Sequence, residues 1–293
     1  MNSVAEKTDA RMKVLITGAS GMLGADLVEE FSKGCDVLAL DHKEGDVTDL
    51  EGLRRIVKGY SPEVIVHAAA FTDVDGCENE PDRAYLVNGM GARNIALLSR
   101  EVGASMFYIS TDYIFDGMKK GPYDEMEPTN PINIYGRSKL LGEYYVQHLL
   151  NRFFIVRTSW LFGLHGKNFV TTILNLLKSK DRLTIVDDQT GSPTYAKDLA
   201  KKIREISEGE GCGVYHITNS GSCNWYEFAL KIQELTGLRN AKIEPVKSED
   251  FNRPARRPNN SMLDNRILTV AGYKKLRCWE EALEAYLKEV ISH

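Results

Sequence analysis

A tyrosine and a lysine stand four residues apart, at Tyr135 and Lys139, where a helix is predicted to begin. Residues at i and i+4 share one face of a helix. A tyrosine hydroxyl ordinarily has a pKa of about 10, but a neighbouring ammonium stabilises the phenolate and lowers that pKa. A predicted strand upstream ends in Ser110 and Thr111, which offer a hydroxyl for the same substrate oxygen. The pattern predicts acid–base chemistry, with an ordinary pair on a helix surface as the alternative.

A glycine-rich turn between a predicted strand and a predicted helix is a second candidate site. Gly18, Gly21 and Gly24 form G-x-x-G-x-x-G, which differs from the G-x-G-x-x-G fingerprint. Glycine permits the tight turn and lets backbone N–H groups and the helix N-terminus approach a pyrophosphate. A turn that only ends a strand is the alternative, and the strand, turn and helix context favours nucleotide binding.

Asp41 ends the second predicted strand, where an acidic side chain can accept hydrogen bonds from an adenosine ribose. This position by itself favours NAD, and a solvated turn aspartate is the alternative. His42 and Lys43 follow directly, and either cation could tolerate the 2′-phosphate of NADP, so the cofactor preference stays open. Asp46 and Val47 begin a polar turn that either contacts adenine or forms the N-cap region of a helix.

The elements that must position these residues alternate in the order that builds a parallel sheet. Strand and helix patterns follow one another at 13–17, 22–33, 36–40, 53–58, 63–70, 81–102 and 105–110. Such alternation is the sequence sign of βαβ units. A loop rich in Pro, Gly, Asn and Asp then spans 116–131, and its length indicates a function. A helix at 135–150 and a strand at 153–160 come next.

Beyond Phe162 the pattern is less regular, with helices near 169–178, 195–206, 225–236 and 280–290 and short strands such as LTIV and VYHIT between them. We predict an α/β protein with a Rossmann-type doubly wound parallel sheet and a smaller C-terminal substrate-binding lobe over its carboxyl edge, where such folds bind ligands. The expected parts are a flexible N-terminal extension (1–12), an NAD(P)-binding domain (13–162) and a mainly substrate-binding lobe (163–293) interleaved with it.

The composition excludes several classes of protein. The chain has 293 residues, 43% hydrophobic and 27% charged, with a net charge of −4, so no basic footprint indicates nucleic acid. Its apolar stretches fall short of the roughly 20 residues of a bilayer span, and its first residues lack the apolar core of a signal peptide. Five scattered cysteines without a C-x-x-C pair predict a cytoplasmic protein with no metal site.

Six short runs together resemble one family. They are TGASGMLG (17–24), HAAA (67–70), STDYIFDG (110–117), YGRSK (135–139), RTSWLFG (157–163) and DQTGSPT (188–194). Their order and spacing resemble an extended short-chain dehydrogenase/reductase, and within it the dTDP-4-dehydrorhamnose reductase family. The matching runs extend from Lys13 to the segment PARRPNNSMLD at 254–264.

The resemblance implies roles for individual residues. Tyr135 would donate a proton to a 4-keto oxygen, Lys139 would hold the nicotinamide ribose and lower the tyrosine pKa, and Thr111 would orient the carbonyl. Cofactor contacts would come from Gly18, Gly21, Met22, Leu23, Gly24, Asp41, Asp46, Val47, Ala68, Ala69, Ala70, Tyr135 and Lys139. Substrate contacts would come from Thr111, Asp112, Trp160 and Arg256, with a core tryptophan at a strand end as the alternative for Trp160. Arg257 would join Arg256 at the nucleotide diphosphate, because guanidinium groups match phosphate geometry, and a solvated basic loop is the alternative.

The activity implied by the resemblance is reduction of a nucleotide-linked 4-keto-6-deoxy sugar by NADPH or NADH, with dTDP-4-dehydrorhamnose going to dTDP-L-rhamnose as the specific expectation. A homodimer is also expected. One alternative is a sugar-nucleotide epimerase or 4,6-dehydratase. The pattern of a dehydratase, however, resembles Thr-Asp-Glu at this strand end, whereas this chain has Tyr113 at the third position. The other is a non-catalytic regulatory subunit that resembles the one of methionine adenosyltransferase, because fold does not fix function.

Overall fold

The computed structural model describes residues 11–251 and 253–291, so residues 1–10 of the predicted N-terminal extension lie outside the described part. The strands are β1 (Lys13–Thr17), β2 (Asp36–Leu40), β3 (Val64–His67), β4 (Ser105–Thr111), β5 (Phe153–Thr158), β6 (Leu161–Phe162), β7 (Arg182–Val186), β8 (Thr190–Gly191), β9 (Thr194–Tyr195), β10 (Gly213–His216), β11 (Cys223–Asn224) and β12 (Lys242–Val246). The α-helices are α1 (Met22–Ser32), α2 (Leu50–Tyr60), α3 (Val74–Asn79), α4 (Pro81–Ala84), α5 (Gly91–Val102), α6 (Ile134–Leu149), α7 (Phe169–Ser179), α8 (Ala196–Ser207), α9 (Trp225–Thr236), α10 (Arg266–Val270) and α11 (Trp279–Ile291).

Six of these strands form one parallel sheet in the order β10-β5-β4-β3-β1-β2. The predicted doubly wound α/β fold is confirmed. From β1 the chain moves outward to β2 and then returns to β3 on the other side, so the strand order reverses between β1 and β3. Ligands of open α/β sheets bind at this switch point, beyond the carboxyl ends of the strands.

Both faces of the sheet are covered, which is why its strands read as continuous apolar runs. Successive side chains of a strand point to opposite faces. Val14 and Ile16 therefore pack with α1 and α8 on one face, whereas Leu15 packs with α2 and α5 on the other. All three side chains are fully buried. The sheet and its helices thus form a rigid base for the loops at the carboxyl edge.

The helix predicted at 81–102 contains a π-helical segment, Tyr85–Met90, between α4 and α5. Single π turns inside helices often occur at functional sites. Asn88 lies in this segment and binds Phe71 twice: its Oδ1 accepts the backbone N–H at 2.7 Å and its Nδ2 donates to the carbonyl at 3.0 Å. The same Nδ2 donates to Ser138 Oγ at 2.9 Å. The segment therefore ties the loop after β3 to α6.

The elements after Phe162 divide between the sheet and a separate apolar cluster. β10 was expected among the short strands of the lobe, but it pairs in parallel with β5, and α8 packs on the sheet beside α1. The separate cluster packs α7, α9 and α11 around Phe162 and Phe228, with β7 and β12 paired beside them. The boundary at residue 162 stays a prediction. In the described ranges, no helix is long and apolar enough to cross a membrane.

Candidate active site

The glycine turn after β1 is packed against the loop after β3. Gly18 has φ of +70°, and a Cβ added there would lie 2.6 Å from the backbone N of Ala69. A Cβ on Gly24 would lie 2.0 Å from the carbonyl oxygen of Gly18. Larger residues cannot occupy either position without moving backbone. The three-residue glycine spacing thus brings the start of α1 close to the switch point.

The N-terminus of α1 is suited to an anion. Its N-cap is Gly21, and within the described residues no side chain caps it and no acidic residue lies in its first turn. The first N–H groups of a helix have no intrahelical partner, and the helix dipole adds positive potential there. The first turn, Met22 and Leu23, therefore has the properties of a pyrophosphate site.

Strand β4 and helix α6 bring the predicted catalytic residues together. Thr111 ends β4, and Asn133 caps α6 by accepting the N–H of Gly136 at 2.8 Å. This cap fixes the first turn of α6, which carries Tyr135. One turn later the buried Lys139 donates from Nζ to the carbonyl oxygen of Ile109 at 2.6 Å. The lysine is thereby held beneath the end of β4.

The acidities of this group differ in part from the expectation. Burial raises the pKa of Tyr135 above its usual value, and the side chain of Thr111 lowers it by less. The predicted lowering by the Lys139 ammonium is not found in this arrangement, in which the lowering comes from Thr111 and burial sets the direction of the shift. Burial also lowers the pKa of Lys139 to about 7, while the charge of Glu143 raises it. Tyr135 consequently keeps its proton at neutral pH, as a proton donor must.

A cavity of about 840 Å³ joins the glycine turn to these residues. It contains every predicted cofactor and catalytic residue and three of the four predicted substrate residues. The predicted residues on its wall are Gly18, Gly21, Met22, Leu23, Gly24, Asp41, Asp46, Val47, Ala68, Ala69, Ala70, Thr111, Asp112, Tyr135, Lys139 and Trp160. The structure thus brings these side chains and amides to one surface, and the role of each stays a prediction.

At the far end of this cavity, Asp41 forms a tight turn with the residues that follow it. Its Oδ1 accepts the N–H of Lys43 at 2.7 Å. Asp46 accepts both the N–H and the hydroxyl of Thr48, at 2.9 and 2.8 Å, whereas the N-cap of α2 is Asp49. The carbonyl of Val47 accepts Asn94 Nδ2 at 3.0 Å. Of the two alternatives for Asp46, the N-cap role therefore belongs to a different aspartate.

Asp112 is a buried carboxylate beside the catalytic group. Its Oδ1 accepts the hydroxyl of Thr111 at 3.0 Å, while its Oδ2 has no hydrogen-bond partner among the described residues. The side chain is 3% exposed, and burial raises the pKa of Asp112 to about 7. An unpaired buried oxygen on the cavity wall is suited to bind a polar ligand group.

A second cavity, of about 660 Å³, shares Val74, Tyr113 and Trp225 with the first. Arg256 lines this second cavity rather than the first, so the structure separates it from the other predicted substrate residues.

Arg257, the neighbour of Arg256, also lines the second cavity but already has a partner. Arg257 donates from Nη1 and Nη2 to the two oxygens of Asp75, at 2.8 Å each, and so forms a bidentate ion pair. Fewer of its N–H donors are therefore left for a phosphate, and the predicted role of the Arg256–Arg257 pair stays a prediction. Arg253 lines the same cavity as Arg256 and Arg257 and was missed.

Trp225 was also missed, although it lines both cavities. It is the first residue of α9, and nothing in its local sequence distinguishes it from a core aromatic. In the part of the chain that the structure describes, no group of three His, Cys, Asp or Glu side chains is placed to hold a metal ion.

Comparison with known proteins gives matches over nearly the whole chain. The sequence profile of the RmlD substrate binding domain matches residues 12–292. The spore coat polysaccharide biosynthesis protein SpsK of Bacillus subtilis is 45% identical, with 94% of this chain and 97% of that protein covered. A dTDP-4-dehydrorhamnose reductase of Streptomyces griseus is 40% identical, with 93% and 92% covered.

Solved structures agree with these matches. The crystal structure of dTDP-4-dehydrorhamnose reductase from Bacillus anthracis in complex with NADP has a TM-score of 0.93 and 43% identity, and covers 95% of this chain and 99% of its own. UDP-glucose 4-epimerase from Thermus thermophilus in complex with NAD has a TM-score of 0.83 at 21% identity, with 94% and 98% covered, which is a likeness of fold alone.

Proposed function

The chain belongs to the RmlD substrate binding domain family, and from this premise we propose that it is an NAD(P)H-dependent oxidoreductase that reduces the 4-keto group of a nucleotide-linked 4-keto-6-deoxy sugar. The specific reaction proposed is dTDP-4-dehydrorhamnose to dTDP-L-rhamnose. Relatives named for this reductase activity, and a relative crystallised with NADP, support the proposal.

One observation carries the proposal: Thr111, Tyr135 and Lys139 lie on the wall of one cavity with the glycine turn, and a second cavity adjoins it. A nucleotide cofactor and a nucleotide sugar can then meet at the tyrosine hydroxyl. The glycine turn fits a dinucleotide, because Gly18 and Gly24 pack against backbone and bring the N-terminus of α1, which no described side chain caps, to the cavity wall. Asp41 would hold the adenosine ribose, and Ala68 to Ala70 would lie along the nicotinamide side.

The bound nicotinamide would supply a hydride to C4 of the sugar. Tyr135 would donate its proton to the 4-oxygen, so that the C=O bond becomes a C–H and an O–H bond. Thr111 would orient that oxygen through its hydroxyl, and Lys139 would bind the nicotinamide ribose. Because Tyr135 holds its proton at neutral pH, it enters the reaction in the form that a donor requires.

The second cavity supports a site for the nucleotide part of the substrate. Arg253, Arg256 and Arg257 lie on its wall; the first two are exposed, whereas Arg257 is paired with Asp75. Exposed guanidinium groups can form two parallel hydrogen bonds to a phosphate. The sugar would then extend past Trp225 toward Trp160 and Asp112 in the first cavity.

Tyr113 argues against the dehydratase alternative. Elimination of water needs an added acid and base beside the catalytic tyrosine. The third position of the run Thr111-Asp112-Tyr113 holds a phenol, whose ring centre lies 6.0 Å from that of Tyr135. Burial raises the pKa of Tyr113 above its usual value, so it is a poor base at neutral pH. The groups around Tyr135 are therefore suited to proton and hydride transfer at a carbonyl.

The test is to offer the purified protein nucleotide 4-keto-6-deoxy sugars with NADPH or NADH, following both the nicotinamide absorbance and the sugar product. We expect one reduced cofactor to be consumed for each 4-hydroxy sugar formed. Product made with only catalytic traces of cofactor would support an epimerase, and a 4-keto-6-deoxy sugar made from a fully hydroxylated hexose would support a dehydratase. No turnover of any such sugar would favour the regulatory subunit. The homodimer and the cytoplasmic location stay predictions.

A further inference from the structure

Glu143 lies on α6 one turn after Lys139 and is fully buried. Its Oε1 accepts the hydroxyl of Ser110 at 2.5 Å and the Nε of Arg157 at 3.0 Å, and its Oε2 accepts Arg157 Nη2 at 2.7 Å. Arg157 lies on β5 and is 5% exposed. A buried ion pair of this kind is weak evidence for stability, because its desolvation opposes its attraction. A role in the function of the site therefore explains the Glu143–Arg157 ion pair better than stability does.

The contacts of Glu143 and Lys139 together form a clamp. Lys139 binds the carbonyl of Ile109, and Glu143 binds the hydroxyl of the next residue, Ser110. Thr111 follows directly. Two successive residues of β4 are thus bound by two side chains one turn apart on α6, and this fixes the register between the strand that carries Thr111 and the helix that carries Tyr135.

We propose that Glu143 is a positioning residue for the reduction: it keeps the end of β4 in register with α6, and its negative charge favours the ammonium form of Lys139. This inference rests on the proposed function, because a charged Lys139 matters only where the site binds a nicotinamide ribose. Glu143 does not line either cavity described above and acts through Lys139 and Ser110.

The groups that face Lys139 determine how strongly the Glu143 charge matters. The Lys139 Nζ lies 4.2 Å from the ring centre of Tyr108 on β4. From β3 it faces His67, which is neutral because burial lowers the pKa of that imidazole to about 3. On α6 its neighbours are Tyr135 and Glu143, and the Glu143 charge is shared with Arg157.

Arg157 is in turn 3.4 Å from His216 Nε2 on β10, and burial lowers the pKa of His216 to about 3. Glu143 is the group that raises the pKa of Lys139, while burial lowers it to about 7. Replacing Glu143 with a neutral residue removes the anion near Lys139 and leaves the Arg157 cation without its partner. Both effects disfavour the ammonium form of Lys139.

The test is Glu143→Gln, which keeps the size of the side chain. The pH dependence of NADPH affinity would be followed by the fluorescence of the bound nicotinamide, beside the pH profile of kcat/KM. We expect affinity and kcat/KM at pH 8 to fall about tenfold or more, and the alkaline limb of both profiles to move on the order of one pH unit toward acid. At pH 6 much of the loss should be recovered.

A matched control is Asp198→Asn, which removes a carboxylate from another bidentate arginine pair, that with Arg277 outside the cavities. It should lower the melting temperature and leave both pH profiles in place. The double variant Glu143→Gln with Arg157→Met does not leave the Arg157 guanidinium buried without its partner. It should show a shift in the same acid direction, but a smaller one. The double variant provides the same test if the single variant does not fold.

Unmoved alkaline limbs in both Glu143 variants, with activity lost equally at every pH, would overturn the proposal and leave Glu143 a structural residue. Wild-type protein that neither binds NADPH nor reduces a nucleotide keto sugar would instead refute the proposed function. The two failures are thus distinguished by the wild-type measurement.

Discussion

The indole rings of Trp160 and Trp225 are stacked, with centroids 3.4 Å apart and planes 5° from parallel. Trp160 has φ of +48°, a left-handed conformation that bulky residues rarely adopt. Its ring also lies against Gly191, where an added Cβ would come within 2.3 Å of the indole. Such strain persists only where the surroundings hold it. Helix α9 therefore holds Trp160 at the boundary between the two cavities.

We expect Trp225→Leu to raise the KM for the nucleotide sugar about tenfold while leaving the KM for NADPH within about twofold. Loss of the stack removes roughly 0.5 to 1.5 kcal/mol beyond area burial and frees Trp160 to move, and 1.4 kcal/mol corresponds to a factor of ten. Initial rates against each substrate measure both constants. Tyr226→Leu is the control, since Tyr226 is the next residue of α9 and lies outside both cavity walls. An equal rise of both KM values in Trp225→Leu would contradict the positional role.

The sequence predicted the elements of the fold better than their assembly. Patterns at 13–17, 22–33 and 225–236 predicted β1, α1 and α9 closely, because side-chain periodicity is local. The membership of β10 in the main sheet was missed, since its pairing with β5 joins residues far apart in the chain. The π-helical segment at Tyr85–Met90 was missed because it differs from an α-helix by hydrogen-bond register, which residue periodicity does not show.

The site shows the same division between local and distant information. The glycine turn and the Tyr135 and Lys139 pair were predicted because each is a short motif inside one unit of structure. The pairing of Arg257 with Asp75 joins residues 182 positions apart, and no pattern near either residue indicates it. Trp225 reaches the cavities only because α9 packs against the loop after β5. Residues that depend on the arrangement of the C-terminal part were therefore those that the sequence did not predict.

For Tyr135→Phe we expect kcat to fall by about 100-fold or more, the scale of general acid catalysis, with NADPH binding largely intact. The variant removes only the hydroxyl and keeps the ring against Tyr113. Single-turnover rates and a fluorescence titration of NADPH separate the two effects. Tyr113→Phe, a matched loss of a phenol on the same wall, should retain turnover within about tenfold. Unchanged turnover in the Tyr135 variant would exclude that residue as the proton donor.

For Asp41→Ala we expect a larger rise of KM for NADH than for NADPH, by about tenfold, because the ribose hydroxyls of NADH would donate hydrogen bonds to the charged Asp41 carboxylate. In NADPH a phosphate stands in place of the 2′-hydroxyl, so fewer of those hydrogen bonds are lost. His42 and Lys43, which follow Asp41 in the sequence, are cations that could contact this phosphate. Asp41 also holds its own turn through the N–H of Lys43. Asp41→Asn keeps an acceptor for that N–H, and so separates the lost charge from the lost turn. Equal changes for both cofactors would show that Asp41 does not distinguish the 2′ position.

The raised pKa of the buried Asp112 carboxyl predicts that the stability of the protein depends on pH. Burial raises its pKa from 3.8 to about 7, so between these values the folded protein keeps a proton that the unfolded chain has lost. The folded state then binds more protons than the unfolded state, and stability falls as pH rises through this window.

The Asp112→Asn variant tests this dependence, because its side chain does not titrate. We therefore expect the wild-type protein to lose free energy of unfolding relative to this variant, on the order of 1 kcal/mol per pH unit inside the window, and to show no further relative loss above it. Urea unfolding at half-unit steps from pH 4.5 to about 8, without cofactor, measures the difference. Because every other group titrates alike in both proteins, parallel stability curves would mean that Asp112 is already ionised in the folded protein near pH 5.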